Sequence, residues 1–338
     1  MQKNILVRSI AALSGIVMLA SVAACGDNTA ATTDNSSSSD STSKSTPISG
    51  NFSGAGASSQ QAAVEAWIAG FQGTNPEAKI AYNPSGSGAG VQTFLTGATA
   101  WAGSDKALAD DEVEQSKSVC TEGTAFDVPV YISPIAVVFN LKGVSDAGKH
   151  INMDAATIAK IFDGKITKWN DPAIADQNKD LKLPDTAITV VHRSDKSGTT
   201  QNFVSYFKDV TPDNWTYDLS ENWPNEVGDK YNEISAEAGS KVIGDSKQDD
   251  TVKGDNRIVI KINHATEAEG AYPIVLVSYD IVCPAYKDTK QAEFAKAWLT
   301  YVTSDEGQKA AQDAAGTAPL PSSLKSEITK SIEAIKTK

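Results

Sequence analysis

The sequence is poor in the residues that build metal centres. Its 338 residues include only three histidines and three cysteines, and the histidines lie far apart. Zinc sites need several such ligands at short, regular spacing. We therefore expect neither a metal nor a cofactor.

Positive charge is scarce as well. The chain has 30 Lys and Arg residues and 42 Asp and Glu residues, which gives a formal net charge of -12. Nucleic-acid binding rests on basic residues that neutralise phosphates, so the composition argues against such a partner. It does not exclude a small anion, because a buried site responds to its local field rather than to the total charge.

The apolar run at the N-terminus is short for a membrane span. Residues 9–24 form this run, about 16 residues where a transmembrane helix needs roughly 20. Lys3 and Arg8 flank it on one side, and small residues lead up to Cys25, as in a signal peptide. The pattern resembles a bacterial lipoprotein signal, in which Cys25 would carry lipid, palmitate included; the alternative is an ordinary signal peptide with a coincidental cysteine. We expect an extracytoplasmic protein, lipid-anchored to the cell membrane.

A polar tract follows the signal. Residues 26–47 contain 12 Ser or Thr among 22 residues and no aromatic side chain, a composition that cannot bury enough apolar surface to fold. We therefore predict a signal peptide at 1–24 and a disordered Ser/Thr-rich tether at 25–48. The remaining stretch of about 290 residues is long for a single core and predicts two lobes.

Two cysteines remain after the signal, Cys120 and Cys283. Export places a chain in an oxidising compartment, where disulfides form and persist. An even number of cysteines in such a chain makes this pair a candidate disulfide.

Three stretches rich in small and hydroxyl residues each precede a segment of helical period. They are SGAGASSQ (53–60), NPSGSGAG (83–90) and HRSDKSGTTQNF (192–203). The first turn of a helix has unpaired N–H groups and about half a positive charge, so glycines and hydroxyls placed there can cradle an anion. Alternatively, these residues are only N-caps. Three such loops in one chain favour a shared anion.

Two charged residues distinguish the third loop. Arg193 comes just after the β-branched run TAITVV (186–191), which we predict to be a strand. In open α/β sheets ligands bind outside the carboxyl ends of strands, and a guanidinium suits a tetrahedral oxyanion. Asp195 would hold the guanidinium in place; the alternative is a surface ion pair.

Asp105, in TAWAGSDKAL (99–108), offers a carboxylate to the same crevice. A carboxylate beside an anion is favourable only if the anion can donate a proton to it. Hydrogen phosphate has an O–H group and sulfate has none, so a buried Asp105 would discriminate between them. The alternative is an ordinary surface aspartate.

The motifs GAGASS, SGSGAGV, AGSD and HRSDKSGTT, in this order, resemble those of the phosphate-binding proteins that serve bacterial ATP-driven phosphate importers. Supporting stretches are VYISPIAVVFNL (130–141), IFDGKITKWNDPAI (161–174) and AYPIVLVSYDIVC (271–283). The resemblance implies an α/β, two-lobed periplasmic-binding-protein-like fold with crossing hinge strands and phosphate in the cleft. It also implies that inorganic phosphate and the importer's permease and ATPase subunits are the partners, and we expect a monomer.

The resemblance implies a role for each matched residue. Asp105 would accept the phosphate proton, and Arg193 would contact phosphate with Asp195 as its ion-pair partner. The other matched ligands come from the three loops: Ser58, Ser59, Ser87, Ser197, Gly198 and Thr199. Ser59 replaces a larger residue of the family, so we expect its backbone N–H to make the contact.

The resemblance also predicts the boundaries of the lobes. Lobe 1 would comprise residues 49–138 and 272–338, and lobe 2 residues 139–271, with crossings at 128–140 and 272–282. After Trp223 the chain departs from the family pattern and reaches its returning strand early. The second lobe is therefore predicted to lack a strand and a helix.

Two other functions remain open from the sequence. One is a secreted phosphatase or serine hydrolase with Ser58 or Ser197 as nucleophile. A nucleophilic serine needs a base within reach, and His192 on a strand would point away from Arg193; there is also no GxSxG motif. The other is a surface protein that has lost phosphate binding. We expect a binding protein rather than an enzyme.

Overall fold

A computed structural model describes residues 46–223 and 236–337 of the chain. The predicted signal peptide, Cys25 and nearly all of the predicted tether lie outside these residues. In the part that is described, no helix combines the length and the apolar character needed to cross a lipid bilayer.

The described residues form two sheets. The strands are β1 (Gly50–Gly56), β2 (Ala78–Asn83), β3 (Trp101–Ser104), β4 (Phe126–Pro134), β5 (Lys247–Gln248), β6 (Ile260–Lys261) and β7 (Val275–Val282). The main sheet has the order β2-β1-β3-β7-β4, and β5 pairs with β6 alone. Strand β1 is parallel to β2 and β3, whereas β7 is antiparallel to β3 and β4. The parallel strands therefore end at one edge of the sheet.

Helices follow each of the three predicted loops. The helices are α1 (Gln61–Thr74), α2 (Ser87–Leu95), α3 (Asp110–Ser116), α4 (Ala155–Phe162), α5 (Pro172–Ala175), α6 (Gly198–Val210), α7 (Ala236–Gly244), α8 (Thr289–Val302), α9 (Asp305–Ala315) and α10 (Lys325–Glu333). Short 3-10 turns are η1 (Ser58–Gln60), η2 (Ser145–Ala147) and η3 (Ser322–Leu324). The helices predicted after the loops are α1, α2 and α6, so these predictions are confirmed.

The main sheet is covered on both faces, because successive residues of a strand point to opposite sides. On one face Trp101 of β3 packs against Phe294 and Trp298 of α8. On the other face the next residue, Ala102, joins Phe94 of α2 in a separate buried cluster. This arrangement of helices on both sides of a sheet confirms the predicted α/β class.

The disulfide predicted between Cys120 and Cys283 is present, with the two Cα atoms 5.3 Å apart. Both sulfurs belong to the buried cluster that contains Ala102 and Phe94. The bridge therefore ties the end of β7 to the segment that follows α3.

We expect the double substitution Cys120→Ser/Cys283→Ser to lower the free energy of unfolding by about 4–5 kcal/mol, because a disulfide that closes a long loop restricts the unfolded chain most. The two cysteines are 163 residues apart. Urea denaturation of the variant, with reduced wild type as the control, measures the loss. The variant and reduced wild type should have equal midpoints. A variant midpoint equal to that of oxidised wild type, or two free thiols in the exported protein by mass spectrometry, would contradict the prediction.

The two predicted crossing runs are only partly strands. Strand β4 ends at Pro134 and β7 begins at Val275, so both are shorter at one end than the runs 128–140 and 272–282. Proline has no N–H to donate to a ladder, and Pro134 stands at this end of the pair. One further backbone bond, from Ile135 N–H to Ile274 O at 2.8 Å, follows it.

The strand predicted at 186–191 does not form. The segment makes one isolated bridge, between Ala187 and Lys168, and Ile188 N–H donates to Thr167 O at 2.8 Å. Val191 is 82% exposed. β-Branched residues favour strands only where neighbouring strands complete a ladder and cover the side chains. Arg193 is therefore carried by a loop rather than by the end of a strand.

The stretch after Trp223 is where the resemblance predicts a shortened lobe. Residues 224–235 lie outside the described residues. Beyond them the chain forms α7 and then the two-residue strands β5 and β6.

Candidate anion-binding site

The loops that follow β1, β2 and β3 lie at the same edge of the main sheet. Parallel strands place their carboxyl ends together, and ligands of open α/β sheets bind there. The loop after β1 holds η1, the loop after β2 leads to α2, and Asp105 directly follows β3. The third predicted loop reaches this edge through side-chain contacts.

Asp105 is the centre of these contacts. Its carboxylate is buried and accepts three hydroxyl hydrogen bonds, from Ser59 at 2.6 Å, Thr199 at 2.7 Å and Ser278 at 2.8 Å. Its backbone N–H donates to Ser87 Oγ at 3.2 Å. One residue thus contacts all three predicted loops, and the predicted surface alternative for Asp105 is wrong.

Burial raises the pKa of the Asp105 carboxyl, because water no longer solvates its charge. The hydrogen bonds from Ser59, Thr199 and Ser278, and then the charge of Arg193, act in the opposite direction. The carboxyl is therefore suited to accept a proton from a ligand.

Arg193 is held by two partners. Its Nε and Nη2 donate to Asp195 at 2.6 and 2.5 Å, and its Nη1 donates to Ser58 Oγ at 2.9 Å. The arginine hydrogen bond lowers the pKa of Asp195. The two side chains are 40% and 43% exposed, so the predicted pair forms at the entrance of the site. The contact with Ser58 connects the third loop to the first.

Glycines allow the loops to approach one another. Gly86, which precedes α2, has φ +93°, and a Cβ there would lie 2.6 Å from Asp195 Oδ2. A Cβ on Gly198 would lie 2.8 Å from the backbone carbon of Asp105. Both distances are too short for any side chain, so only glycine permits this packing.

The predicted hydroxyls have different partners. Ser197 accepts a hydrogen bond from Thr200 N–H at 3.3 Å and caps α6, as the N-cap alternative predicted. Ser87 begins α2 without capping it. Ser58, Ser59 and Thr199 contact the charged residues Arg193 and Asp105.

Three contributing residues were missed from the sequence: Ser278, Gln60 and Asn202. Ser278 donates to Asp105 from the middle of β7, and Gln60 Nε2 donates to Ser278 Oγ at 2.9 Å. Asn202 Nδ2 donates to Asp105 O at 2.6 Å. Ser278 could have been found from the sequence as a serine within an otherwise apolar predicted strand, because a polar residue expected to be buried often has a specific role.

The arrangement suits a tetrahedral oxyanion better than a cation. The starts of α2 and α6 lie at Asp105, and the hydroxyls of Ser58, Ser59 and Thr199 and one guanidinium lie beside them. Within the described ranges, no group of three or more His, Cys, Asp or Glu side chains could hold a metal ion.

Comparison with known proteins gives the family. A model described as a PBP superfamily domain matches residues 41–306. Phosphate-binding protein PstS 3 of Mycobacterium tuberculosis is 32% identical over 322 residues, which cover 83% of this chain and 85% of that protein. Phosphate-binding protein PstS of Xylella fastidiosa is 32% identical over 321 residues, covering 82% and 83%.

Solved structures agree on the fold. The ancestral soluble variant of the Human Phosphate Binding Protein has a TM-score of 0.60 at 15% identity, covering 86% of this chain and 99% of that one. The periplasmic phosphate-binding protein PfluDING, solved with phosphate, has a TM-score of 0.55 at 17% identity, covering 83% and 93%. The resemblance predicted from the motifs is confirmed: the chain belongs to the PBP superfamily and, within it, to the PstS-type phosphate-binding proteins.

Proposed function

We propose that this protein captures inorganic phosphate outside the cytoplasm and delivers it to an ATP-driven importer. The observation that carries the proposal is the meeting of three helix-preceding loops at one buried carboxylate, Asp105, beside Arg193. The names of the curated relatives support phosphate as the ligand. Proposed ligand residues are Asp105 and Arg193 together with Ser58, Ser59, Ser87, Ser197, Gly198 and Thr199.

Affinity would come from many neutral donors and one cation. Helix N–H groups and hydroxyls stabilise an anion without neutralising it, and water is excluded as the site closes. We expect the hydroxyls of Ser59 and Thr199, now bonded to Asp105, to turn toward a guest, while the Asp105 carboxylate accepts the phosphate proton. Closure would bring together the two proposed lobes, residues 49–138 with 272–338 and residues 139–271, around β4 and β7 as a hinge.

We further propose that the protein acts at the outer face of the cell membrane, anchored through lipid on Cys25 and tethered by residues 25–48. Its partners there would be the permease and ATPase subunits of the importer. The composition of the N-terminal segment supports this placement.

The contacts at the candidate nucleophiles do not favour a hydrolase. Ser58 Oγ accepts from the Arg193 guanidinium, which is a cation and not a base. His192 Nδ1 is 2.8 Å from Arg193 O, and its ring stacks on Trp223 at 4.7 Å. We therefore propose binding without turnover.

Isothermal titration with phosphate, arsenate and sulfate tests the proposal. We expect one phosphate per chain, measurable arsenate binding because arsenate also carries a proton, and no sulfate binding. A protein that shows no heat of binding with phosphate, or that binds sulfate equally well, would contradict it. Hydrolysis of a chromogenic phosphate ester would favour the enzyme instead.

A further inference from the structure

Two buried acceptors in the main sheet lack a donor. Asp280 on β7 is fully buried, and its Oδ2 accepts a hydrogen bond from Trp298 Nε1 at 3.0 Å. Among the residues that the structure describes, its Oδ1 has no hydrogen-bond partner, and neither has Oε1 of the buried Gln60. Buried polar atoms without partners are costly and rare, so this pair requires an explanation.

The side chains of Asp280 and Gln60 are neighbours on one face of the main sheet. Asp280 is paired with Gly103 across β3 and β7, and side chains of directly opposed residues share one face with their Cβ atoms about 4.5–5.5 Å apart. A Cβ on Gly103 would lie 2.1 Å from Gln60 Oε1. The glycine therefore leaves the space that the Gln60 amide oxygen fills, next to the Asp280 side chain.

Rotating the Gln60 amide does not solve the problem. Its Nε2 donates to Ser278 Oγ at 2.9 Å and to Tyr279 O at 3.1 Å. Exchanging the amide N and O would place Oε1 against the Tyr279 carbonyl, so that two acceptors would meet. The nearby Tyr82 hydroxyl is also occupied, since it donates its single proton to Ala57 O at 2.9 Å. The indole N–H of Trp101 and the hydroxyl of Tyr131 are also buried without a partner among the described residues. Asp280 itself can supply a proton between its own Oδ1 and Gln60 Oε1.

We propose that Asp280 carries a proton on Oδ1 in the folded protein and donates it to Gln60 Oε1, which makes Asp280 a positioning residue for the anion site. The neutral acid fixes the Gln60 amide, Gln60 Nε2 orients Ser278, and Ser278 Oγ donates to Asp105 Oδ1 at 2.8 Å. The link to phosphate rests on the proposed function; the protonation of Asp280 does not.

The groups around Asp280 support a neutral acid. Three tyrosines interact with it: Tyr82 of β2, Tyr131 of β4 and Tyr286 after β7. Asp105 is connected to it through Ser278 and Gln60, and Trp298 of α8 contributes an indole N–H. Burial raises the pKa of Asp280 to about 7, and the neighbouring side chains of Trp298 and Gln60 act in the opposite direction. None of these neighbours is a cation that would favour the carboxylate.

The sign of the pH effect follows from this pKa. The folded state holds the proton more tightly than the unfolded chain, whose aspartates have a pKa of about 4. The stabilisation is therefore complete below about pH 4 and is lost as the pH rises through about 7. Above that pH an ionised Asp280 would face Gln60 Oε1, and the amide would turn away from Ser278.

The variant Asp280→Asn tests the proposal, because its amide can donate to Gln60 Oε1 and accept from Trp298 without titrating. We expect the wild-type urea midpoint to fall between pH 5 and 9 and that of Asp280→Asn to stay level. Infrared spectroscopy at pH 6 should show a protonated carboxyl band that the variant lacks. A variant that does not fold, or that keeps both the band and the pH dependence, would overturn the proposal.

Asp127→Asn is the matched control. Asp127 is a buried carboxylate on the adjacent strand β4, paired with Arg257 Nε at 2.5 Å. Losing a charge opposite a buried cation should lower the urea midpoint even at pH 5.

The pH dependence of phosphate affinity distinguishes a positioning role of Asp280 from a purely structural one, which would not change it. The ratio of wild-type to Asp280→Asn dissociation constants, taken at each pH, cancels the titration of phosphate itself. We expect this ratio to rise at least about threefold between pH 5.5 and 8.5, since a one-unit pKa shift corresponds to tenfold. A constant ratio would reject the positioning role. Absence of phosphate binding in both proteins would reject the proposed function, while the infrared and urea results still decide the protonation.

Discussion

Replacing Arg193 with alanine is expected to weaken phosphate binding by roughly 30- to 3,000-fold, because removing one partner of a hydrogen-bonded charge pair costs about 2–5 kcal/mol. Arg193 is the one guanidinium among the proposed ligands. Its Nε and Nη2 hydrogen bonds to Asp195 and its Nη1 bond to Ser58 fix its plane. The fork retains further N–H donors for an oxyanion. Isothermal titration measures the loss.

Two variants separate the geometry of the guanidinium from its charge. Arg193→Lys keeps the charge and loses the planar fork, so we expect an intermediate affinity. Lys79→Ala removes one positive charge from an exposed position on the edge strand β2 and should leave the affinity unchanged. Equal affinities of Arg193→Ala and Lys79→Ala would show that Arg193 does not contact the ligand.

Asp105→Asn should reduce the preference for phosphate over sulfate by roughly 100-fold or more, because sites that depend on a hydrogen bond with the ligand reject analogues that lack it by large factors. Aspartate accepts the phosphate proton but repels sulfate, whereas an asparagine amide can donate to either anion. The buried carboxyl already has a raised pKa, so a neutral amide of the same shape should be accommodated in the fold. Competition titration with both anions gives the ratio.

Asp195→Asn is the matched control for Asp105→Asn. Asp195 is the other carboxylate at the site, but its partner is Arg193 and it is 43% exposed. Its replacement should weaken both anions together through a less well-fixed guanidinium. If the phosphate-to-sulfate preference changed in Asp195→Asn but not in Asp105→Asn, the prediction would be wrong, and Asp195 rather than Asp105 would recognise the phosphate proton.

Local chemistry explains why the three loops could be predicted. Small and hydroxyl residues ahead of an apolar helical pattern indicate a helix start, and the donors of a first turn are a property of the helix alone. Asp105 was predicted because it follows a short apolar run, and neither it nor the loops needed knowledge of which strands are neighbours. Arg193 was predicted from the end of a strand that does not form.

The strand predicted at 186–191 and the missed residues Ser278 and Gln60 have a different explanation, because they depend on contacts that are distant in the sequence. The run at 186–191 has the composition of a strand, but a ladder depends on partners that lie elsewhere in the chain. Among the described residues this run pairs only near Lys168. Ser278 and Gln60 were missed because their roles depend on what lies opposite them in the folded sheet.

The sequence by itself determined the α/β class, the disulfide pair and the types of residue at the anion site. The tertiary structure decided which of them meet: Arg193 contacts Ser58 across 135 residues, and Ser278 contacts Asp105 across 173. The contact of Ser278 with Asp105 exists because β7 returns antiparallel between β3 and β4. Strand order of this kind is set by the packing of the whole sheet, whereas helix starts and turn residues are set by their immediate neighbours.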